Sequence, residues 1–430
     1  MNKIKALKGT FDILPGEIKT WQRIERVVRN MMSVYGYSEI RTPLFEETGL
    51  FARSIGEDTD IVGKEMYTFS DMGNRSITLR PEETAPVVRA FIEHSLDQKG
   101  LPQKFWYMGP MFRQERPQKG RHRQFHQFGV EVLGSPSPMV DAEVMILFDS
   151  IARDLGLRER MYSLNSLGGR ESRDTYRKAL VMFLDTIDDR LCEDCKRRKV
   201  TNPLRVLDCK VPECREVIHN SMELPHSVDY LTPQDRNSFE TVQECLHEQG
   251  IRFVIDMFLV RGLDYYTGTV FAMNYGGLGA QSEIMGGGRY DNLVKELGGH
   301  DLPAVGFACG IERLILAMKE SGSADNDGNT IHIYVVNTAD ISQRLALEYL
   351  YQIRRLEIPA DIDYLGRSMK AQMKIAAKRR AKYVLIIEPE AGIVTVRNME
   401  ISEQKRMSFD EFIAVLKKDN SIRITRNTLT

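Results

Sequence analysis

Between residues 17 and 35 the apolar side chains Ile18, Trp21, Ile24, Val28, Met31 and Tyr35 recur at helical spacing. An amphipathic helix is predicted there, closed by Gly36 and followed by a short extended segment reaching Pro43. Residues 104–112 and 125–133 read as strands joined by a polar, basic loop. A charged, helix-rich insertion fills about 170–255, followed by strand-like segments at 253–260 and 265–274. A glycine-rich stretch, 276–288, leads to a strand and helix over 304–319. Residues 321–329 are polar and turn-rich, the composition of a linker.

Beyond the linker the rhythm changes. A strand at 331–337 precedes an amphipathic helix over 340–356 carrying Ile341, Leu345, Tyr349 and Ile353. A strand at 361–364, a helix at 368–380 and a strand at 383–388 follow. Ser408 and Glu411 form a capping box that opens a last helix. This alternation predicts a small α/β domain, 326–430, after a larger α+β domain, 1–325.

Composition narrows the class more than the function. A chain of 430 residues, 42% hydrophobic and 28% charged, has room for two or three soluble domains. Lys and Arg number 59 against 60 Asp and Glu, so any nucleic-acid contact must come from local basic patches. Residues 1–11 lack the pattern of a secretory leader, and no apolar run is long enough to cross a bilayer. Six cysteines are too few for a disulfide scaffold in a chain this long. The expected compartment is the cytoplasm, with no membrane partner.

The chemistry concentrates in three segments. Alternation along the first strand puts Arg113 and Glu115 on a face with Tyr107 and Gly109. On the second, Phe125, Gln127, Gly129 and Glu131 share one face, while Phe128, Val130 and Val132 take the other. Polar groups gathered on one face of a core hairpin are costly unless they meet a ligand or each other. The alternative is a sheet with a solvated face. The connecting loop adds Arg116, Lys119, Arg121 and Arg123. Guanidinium forks suit polyphosphate, although such runs also occur as solvated surface. A second segment, 261–270, is headed by Arg261 and reads as a strand. Its adjacent Tyr265 and Tyr266 would face opposite ways, one into the core and one toward a ligand. In the third, 304–316, Gly306 and Gly310 allow close backbone approach, and Arg313 falls near a helix start, a place suited to an anion. The plainer reading is a tight turn with an exposed arginine.

Taken together, these segments resemble the class II aminoacyl-tRNA synthetases, specifically the bacterial type of the histidyl-tRNA synthetase family. Residues 35–43 resemble motif 1, 112–131 motif 2 and 304–316 motif 3. Thr78-Leu-Arg-Pro-Glu82 and Arg261-Gly-Leu-Asp-Tyr-Tyr266 resemble the two histidine-specific signatures, and Gly287-Gly-Arg-Tyr-Asp291 is a further match. The resemblance implies an antiparallel sheet flanked by helices, interrupted by the helical insertion, and a C-terminal anticodon-binding domain. It implies activation of L-histidine with ATP and Mg2+, transfer to tRNA(His), and a homodimer built on motif 1. Glu82, Glu83, Thr84, Arg113, Gln127, Glu131, Arg261, Tyr265 and Tyr266 would surround histidine. Arg113, Glu115, Arg121, Phe125 and Arg313 would bind ATP, with Phe125 and Arg313 on the two faces of adenine or Arg313 reaching the γ-phosphate. Arg261, opposite Arg113 at the α-phosphate, would be the catalytic group. Arg116 and Gln118 would contact the tRNA 5′ end. A polar pocket of this kind rejects apolar analogues strongly. Two residues depart from the family pattern: Glu83 stands where glycine is usual, and Ala272 where an acidic residue is usual.

Three further features complete the reading. Lys370, Lys374 and Lys378 recur every fourth residue, a basic helical face suited to RNA backbone or simply to solvent. Cys192-x2-Cys195 has zinc-ligand spacing, and Cys209-x4-Cys214 is within the tolerated range. Zinc is not general in the resembled family, so free buried thiols are expected and structural zinc is the alternative. A non-catalytic paralogue acting as a regulatory subunit is the competing function; it should lack phosphate-binding arginines or the last domain.

Overall fold

The computed structural model describes residues 3–56, 59, 61–324, 331–337 and 343–427. The chain divides into two compact units, Met1–Ile13 with Thr20–Ala324 and Leu14–Lys19 with Asp325–Thr430. Positions 325–329 of the expected linker, and Ile341, lie outside the described residues.

The first unit is built on an eight-stranded sheet. Its order is Ser38–Glu39, Gln103–Phe112, Gln124–Leu133, Ala304–Gly310, Glu283–Arg289, Thr267–Asn274, Met161–Ser166 and Phe253–Ile255. The six central strands pair antiparallel, and the two short edge strands pair parallel. Phe128, Val130 and Val132 turn to the interior, where Phe128 packs on Phe148 of the helix Pro138–Asp154 and on Phe307. Burying such side chains is worth about 1.5–3 kcal/mol each. This alternation leaves Phe125, Gln127, Gly129 and Glu131 on the opposite face, as their spacing requires.

The expected first helix spans Ile18–Val34, with Trp21, Ile24, Val28 and Met32 buried. Met32 carries the apolar stripe where Met31 was expected, because the fourth-residue step continues from Val28. Gly36 ends the turn with φ +73, a left-handed conformation that glycine adopts without strain.

Three expectations for this unit need correction. The strand preceding the loop ends at Phe112, so Arg113 and Glu115 sit in the loop. The strand expected from 261 begins only at Thr267; residues 261–266 form a turn, and strand alternation does not govern the paired tyrosines. The glycine-rich stretch contains a full strand, Glu283–Arg289, because neighbouring backbone occupies the space that side chains would need. A Cβ on Gly287 would lie 2.2 Å from the Gly306 carbonyl oxygen. Arg289 secures the end of that strand by donating to Asp141, and to the Ser135 carbonyl at 3.0 Å.

The second unit has a five-stranded sheet, ordered Ala360–Ile362, Ile333–Val336, Tyr383–Ile387, Ile393–Asn398 and Gln404–Ser408. The first three strands are parallel and the last two antiparallel. The final antiparallel pair lies beyond the elements read from periodicity. Helices Gln343–Arg354, Met369–Lys378 and Phe409–Asn427 accompany it, and Tyr349 stacks on Phe409 at 3.7 Å. The capping box forms: the Ser408 amide donates to Glu411 Oε2 at 2.8 Å, and the Glu411 amide to Ser408 Oγ at 3.2 Å.

Candidate active site

A cavity of about 650 Å³ opens over the polar face of the first unit's sheet. Glycines form much of its floor. A Cβ on Gly306 would fall 2.0 Å from Glu131 Oε2, and one on Gly286 would fall 1.9 Å from Arg261 Nη2. Bare backbone at these positions lets large polar side chains lie flat across the sheet.

One end of the cavity is carboxylate and tyrosine. Glu131 is 1% exposed and accepts from Thr84 Oγ1 at 2.8 Å and from the Tyr290 hydroxyl. Burial, helped by the neighbouring Glu82 charge, pushes its carboxyl up to about 8 despite those hydrogen bonds. Glu82 accepts from the Thr84 amide at 2.7 Å and the Ala85 amide at 3.0 Å, at the start of the helix Thr84–Glu93. Burial raises its carboxyl too, against those two amides. Gln127 holds a buried Oε1 without a hydrogen-bond partner among the described residues, which is costly unless a ligand donates to it. Tyr265 and Tyr266 are both buried and both line the cavity, with ring centroids 4.7 Å apart. The expectation that one would enter the core and the other the ligand site fails because a turn, not a strand, carries them.

The other end is cationic. Arg113 donates Nε to the Pro81 carbonyl at 2.9 Å and lies 5.3 Å over the Phe125 ring. Arg121 donates to Glu115 Oε2 at 3.2 Å. Arg313 donates to the Glu283 carbonyl at 2.8 Å, while Arg261 Nη1 donates to Glu283 Oε2 at 2.9 Å. Burial opposes the charge on Arg261, but Glu283 and then Tyr266 hold its pKa above the ordinary value. Burial lowers Arg313, and Arg121 pushes the same way against Glu283. Arg113, Arg121, Arg261 and Arg313 converge at this end, with Glu115 bonded to Arg121 and Glu283 to Arg261, and make a strong anion site.

Every residue expected around histidine or ATP lines this cavity except Glu83. Glu83 is a correction: its carboxylate is taken by Arg80 at 2.7 Å and by Thr42 Oγ1 at 2.7 Å, away from the pocket lining. Burial still pushes it up to about 7, against the Arg80 charge. Ala272 is buried mid-strand opposite Gly286, and nothing in the structure explains the loss of an acidic residue there. Arg116 and Gln118 are exposed in the loop outside the cavity lining. Lys370, Lys374 and Lys378 are exposed on the helix of the second unit.

Residue-by-residue reading missed several members. Glu283, which holds Arg261, sits in a glycine-masked strand. Tyr290, bonded to Glu131, was visible only as part of a motif match. Arg205, Asp208 and Lys210 reach the cavity from the insertion and carried no local signal.

An antiparallel sheet bearing paired arginines above a polar pocket is the architecture of a class II aminoacyl-tRNA synthetase. Residues 9–314 match the family described as histidyl-tRNA synthetase, and 331–419 match the anticodon binding domain. Histidine–tRNA ligase of Halothermothrix orenii is 50% identical over 418 residues, covering 96% of this chain and 99% of that protein. That of Syntrophomonas wolfei is 47% identical over 418 residues, covering 96% and 98%. The crystal structure of apo histidyl-tRNA synthetase from S. aureus superposes with a TM-score of 0.81 at 39% identity, covering 96% of this chain and 100% of that one. The chain belongs to the histidyl-tRNA synthetase family. No helix among the described residues is long and apolar enough to cross a membrane.

Proposed function

We infer that this chain joins L-histidine to ATP as histidyl-adenylate and then transfers the histidyl group to the 3′ end of tRNA(His), releasing diphosphate and AMP. One observation carries the reading. Phe125, Gln127 and Glu131 stand in a row on one strand face, so a single rigid element spans the cationic and the carboxylate ends of the cavity. The histidine carboxylate would then meet the α-phosphorus between them. Its oxygen attacks phosphorus, the bond to the departing diphosphate breaks, and negative charge grows on the phosphate oxygens. Arg113 and Arg261 stabilise that charge, while Arg121 and Arg313 hold the outer phosphates. Glu283 fixes the Arg261 fork. Mg2+ enters with ATP and neutralises part of the phosphate charge. Glu82, Gln127 and, once ionised, Glu131 accept from the N–H groups of histidine, since the amide oxygen of Gln127 and an ionised carboxylate need donors.

The regulatory-paralogue alternative is the weaker one. Arg113, Arg121, Arg261 and Arg313 all line the cavity, and the anticodon-binding domain is present. Charging of native tRNA(His) by the purified protein separates the two; absence of charging with intact folding would favour the paralogue. The same reading includes a homodimer and a cytoplasmic location. Exposed Leu44, Phe45 and Phe69 support the dimer.

Gln127→Ala and Glu131→Gln should raise the KM for histidine at least tenfold, the effect of one lost buried hydrogen bond of about 1.4 kcal/mol or more. The KM for ATP should change less. Equal rises for both substrates in steady-state exchange assays would make these groups structural.

Glu131 also sets a pH dependence. A carboxyl raised to about 8 is mostly protonated at neutral pH, and a donor from histidine needs it ionised. Histidine affinity should therefore tighten roughly fivefold between pH 7 and 8, the rise in the ionised fraction. Glu131→Gln should remove that step while leaving the effect of the ligand's own titration. The same group disfavours folding as pH rises from its unfolded value near 4.5 through 8, because the folded state binds the extra proton.

Reversing Lys370→Glu, Lys374→Glu and Lys378→Glu together should raise the KM for tRNA roughly tenfold or more through lost phosphate contacts. ATP–diphosphate exchange should be unchanged. Unaltered tRNA charging at low and high salt would remove the RNA role of this face.

A further inference from the structure

We propose that Cys192, Cys195, Cys209 and Cys214 form a structural zinc site that ties the helical insertion together and holds its loop at the rim of the active-site cavity. Spacing alone leaves free thiols as the stronger reading; the three-dimensional placement reverses that preference. The four sulfurs come from three pieces of chain, and all lie within 4.8 Å of one another. Cys192 caps the helix Glu193–Thr201 and Cys195 lies in its first turn. Cys209 follows the short turn Pro203–Val206, and Cys214 lies in the first turn of the helix Pro212–His219. Cys195, Cys209 and Cys214 are buried and Cys192 is half-buried.

The dimensions suit one ion. A tetrahedral zinc with sulfurs at about 2.3 Å places them about 3.8 Å apart. Cys192 Sγ and Cys209 Sγ are 3.8 Å apart. Disulfides need sulfurs at about 2.05 Å in separate pairs, whereas here four sulfurs converge as one group. Thiolates bound to a metal also gain from backbone donors that orient them. The Cys192 amide donates to Cys214 Sγ at 3.4 Å, and both cysteines stand at helix N-termini, where the peptide dipole favours negative charge. A closed set of four protein sulfurs leaves no open position, which marks a structural rather than a catalytic ion.

The placement gives the site a consequence for catalysis. Arg205 and Asp208 precede Cys209, Lys210 follows it, and all three line the active-site cavity. Asn202 donates to Asp264 Oδ1 at 2.8 Å, within the turn that carries Arg261 and the paired tyrosines. A metal holding Cys209 against the two helix starts would fix that rim, adding to the apolar packing around Val206, Leu207 and Ile218 and to the hydrogen bonds of Asn202 and the Leu207 carbonyl.

Elemental analysis of the full-length protein, purified without chelator, should find about one zinc per chain. Cys245 lies outside the cluster, so Cys245→Ser should keep the metal, whereas Cys192→Ser or Cys214→Ser should lose most of it. Should those variants fail to fold, the wild-type protein still decides the matter. Its four cluster thiols should resist a thiol reagent until a strong chelator removes zinc, and cobalt replacing zinc should show the intense absorption of a tetrahedral thiolate complex. A folded wild-type protein free of metal, with all six cysteines reacting as free thiols, overturns the proposal. So does recovery of disulfides among these four cysteines, or of iron in place of zinc.

Discussion

Replacing Arg261 by alanine lowers the rate of histidyl-adenylate formation by about 10²–10³, the size of effect that follows loss of a donor to a transition-state oxyanion. The Arg261 side chain is 16% exposed, and its guanidinium stays charged and is fixed by Glu283 on one side. In the proposed mechanism it meets the growing charge at the α-phosphate with little rearrangement. Histidine binding should change far less, because the ground-state carboxylate makes weaker demands on that group. Transfer from preformed adenylate to tRNA should also change less, since that step no longer breaks the bond to diphosphate. Rapid single-turnover measurement of the two half-reactions distinguishes the outcomes. If both steps slow equally, or only the histidine requirement rises, Arg261 is a binding or folding residue.

Gly286→Ala produces nearly the same defect from a position that carries no functional group. Its new Cβ would fall 1.9 Å from Arg261 Nη2 and 2.3 Å from Cζ. The obstructed atoms are the far end of a flexible side chain, so the strand survives and the guanidinium moves. A displacement on the order of 1 Å can cost about 10²-fold in rate. Adenylate formation should fall by about that factor while thermal stability changes little. The double variant Gly286→Ala with Arg261→Ala should be scarcely worse than Arg261→Ala alone, because the two substitutions remove the same interaction. Simple multiplication of the two effects would show that Gly286 acts by another route.

The legible part of the site is the part that obeys strand alternation. Phe125, Gln127 and Glu131 could be placed on one face because a period of two leaves no choice once Phe128, Val130 and Val132 are buried. Arg261, Tyr265 and Tyr266 could be named from their motif but not oriented, since a turn has no period from which to read direction. The strand Glu283–Arg289 was hidden for a different reason. Its Gly286-Gly287-Gly288 run reads as loop by propensity, yet the neighbouring strands crowd Gly287 and Gly288, and the Arg261 side chain from the turn 261–266 crowds Gly286. With that strand hidden, Glu283, the partner of Arg261, was hidden too. Glu83 was assigned to the pocket by its position in the sequence; Arg80, three residues earlier, and Thr42, brought near by folding, claim it instead. The same holds for the four cysteine sulfurs, whose spacing allowed a metal but whose convergence is a tertiary fact. In the second unit the α/β alternation was clear through Tyr383–Ile387, while the closing antiparallel strands are mixed in polarity.

The most direct test is amino-acid-dependent exchange between ATP and labelled diphosphate, run with each of the common amino acids in turn at saturating Mg2+. The cavity predicts exchange with histidine, lowered by about 10²–10³-fold by Arg261→Ala. Exchange with another amino acid and not with histidine, or none from folded protein, would contradict it.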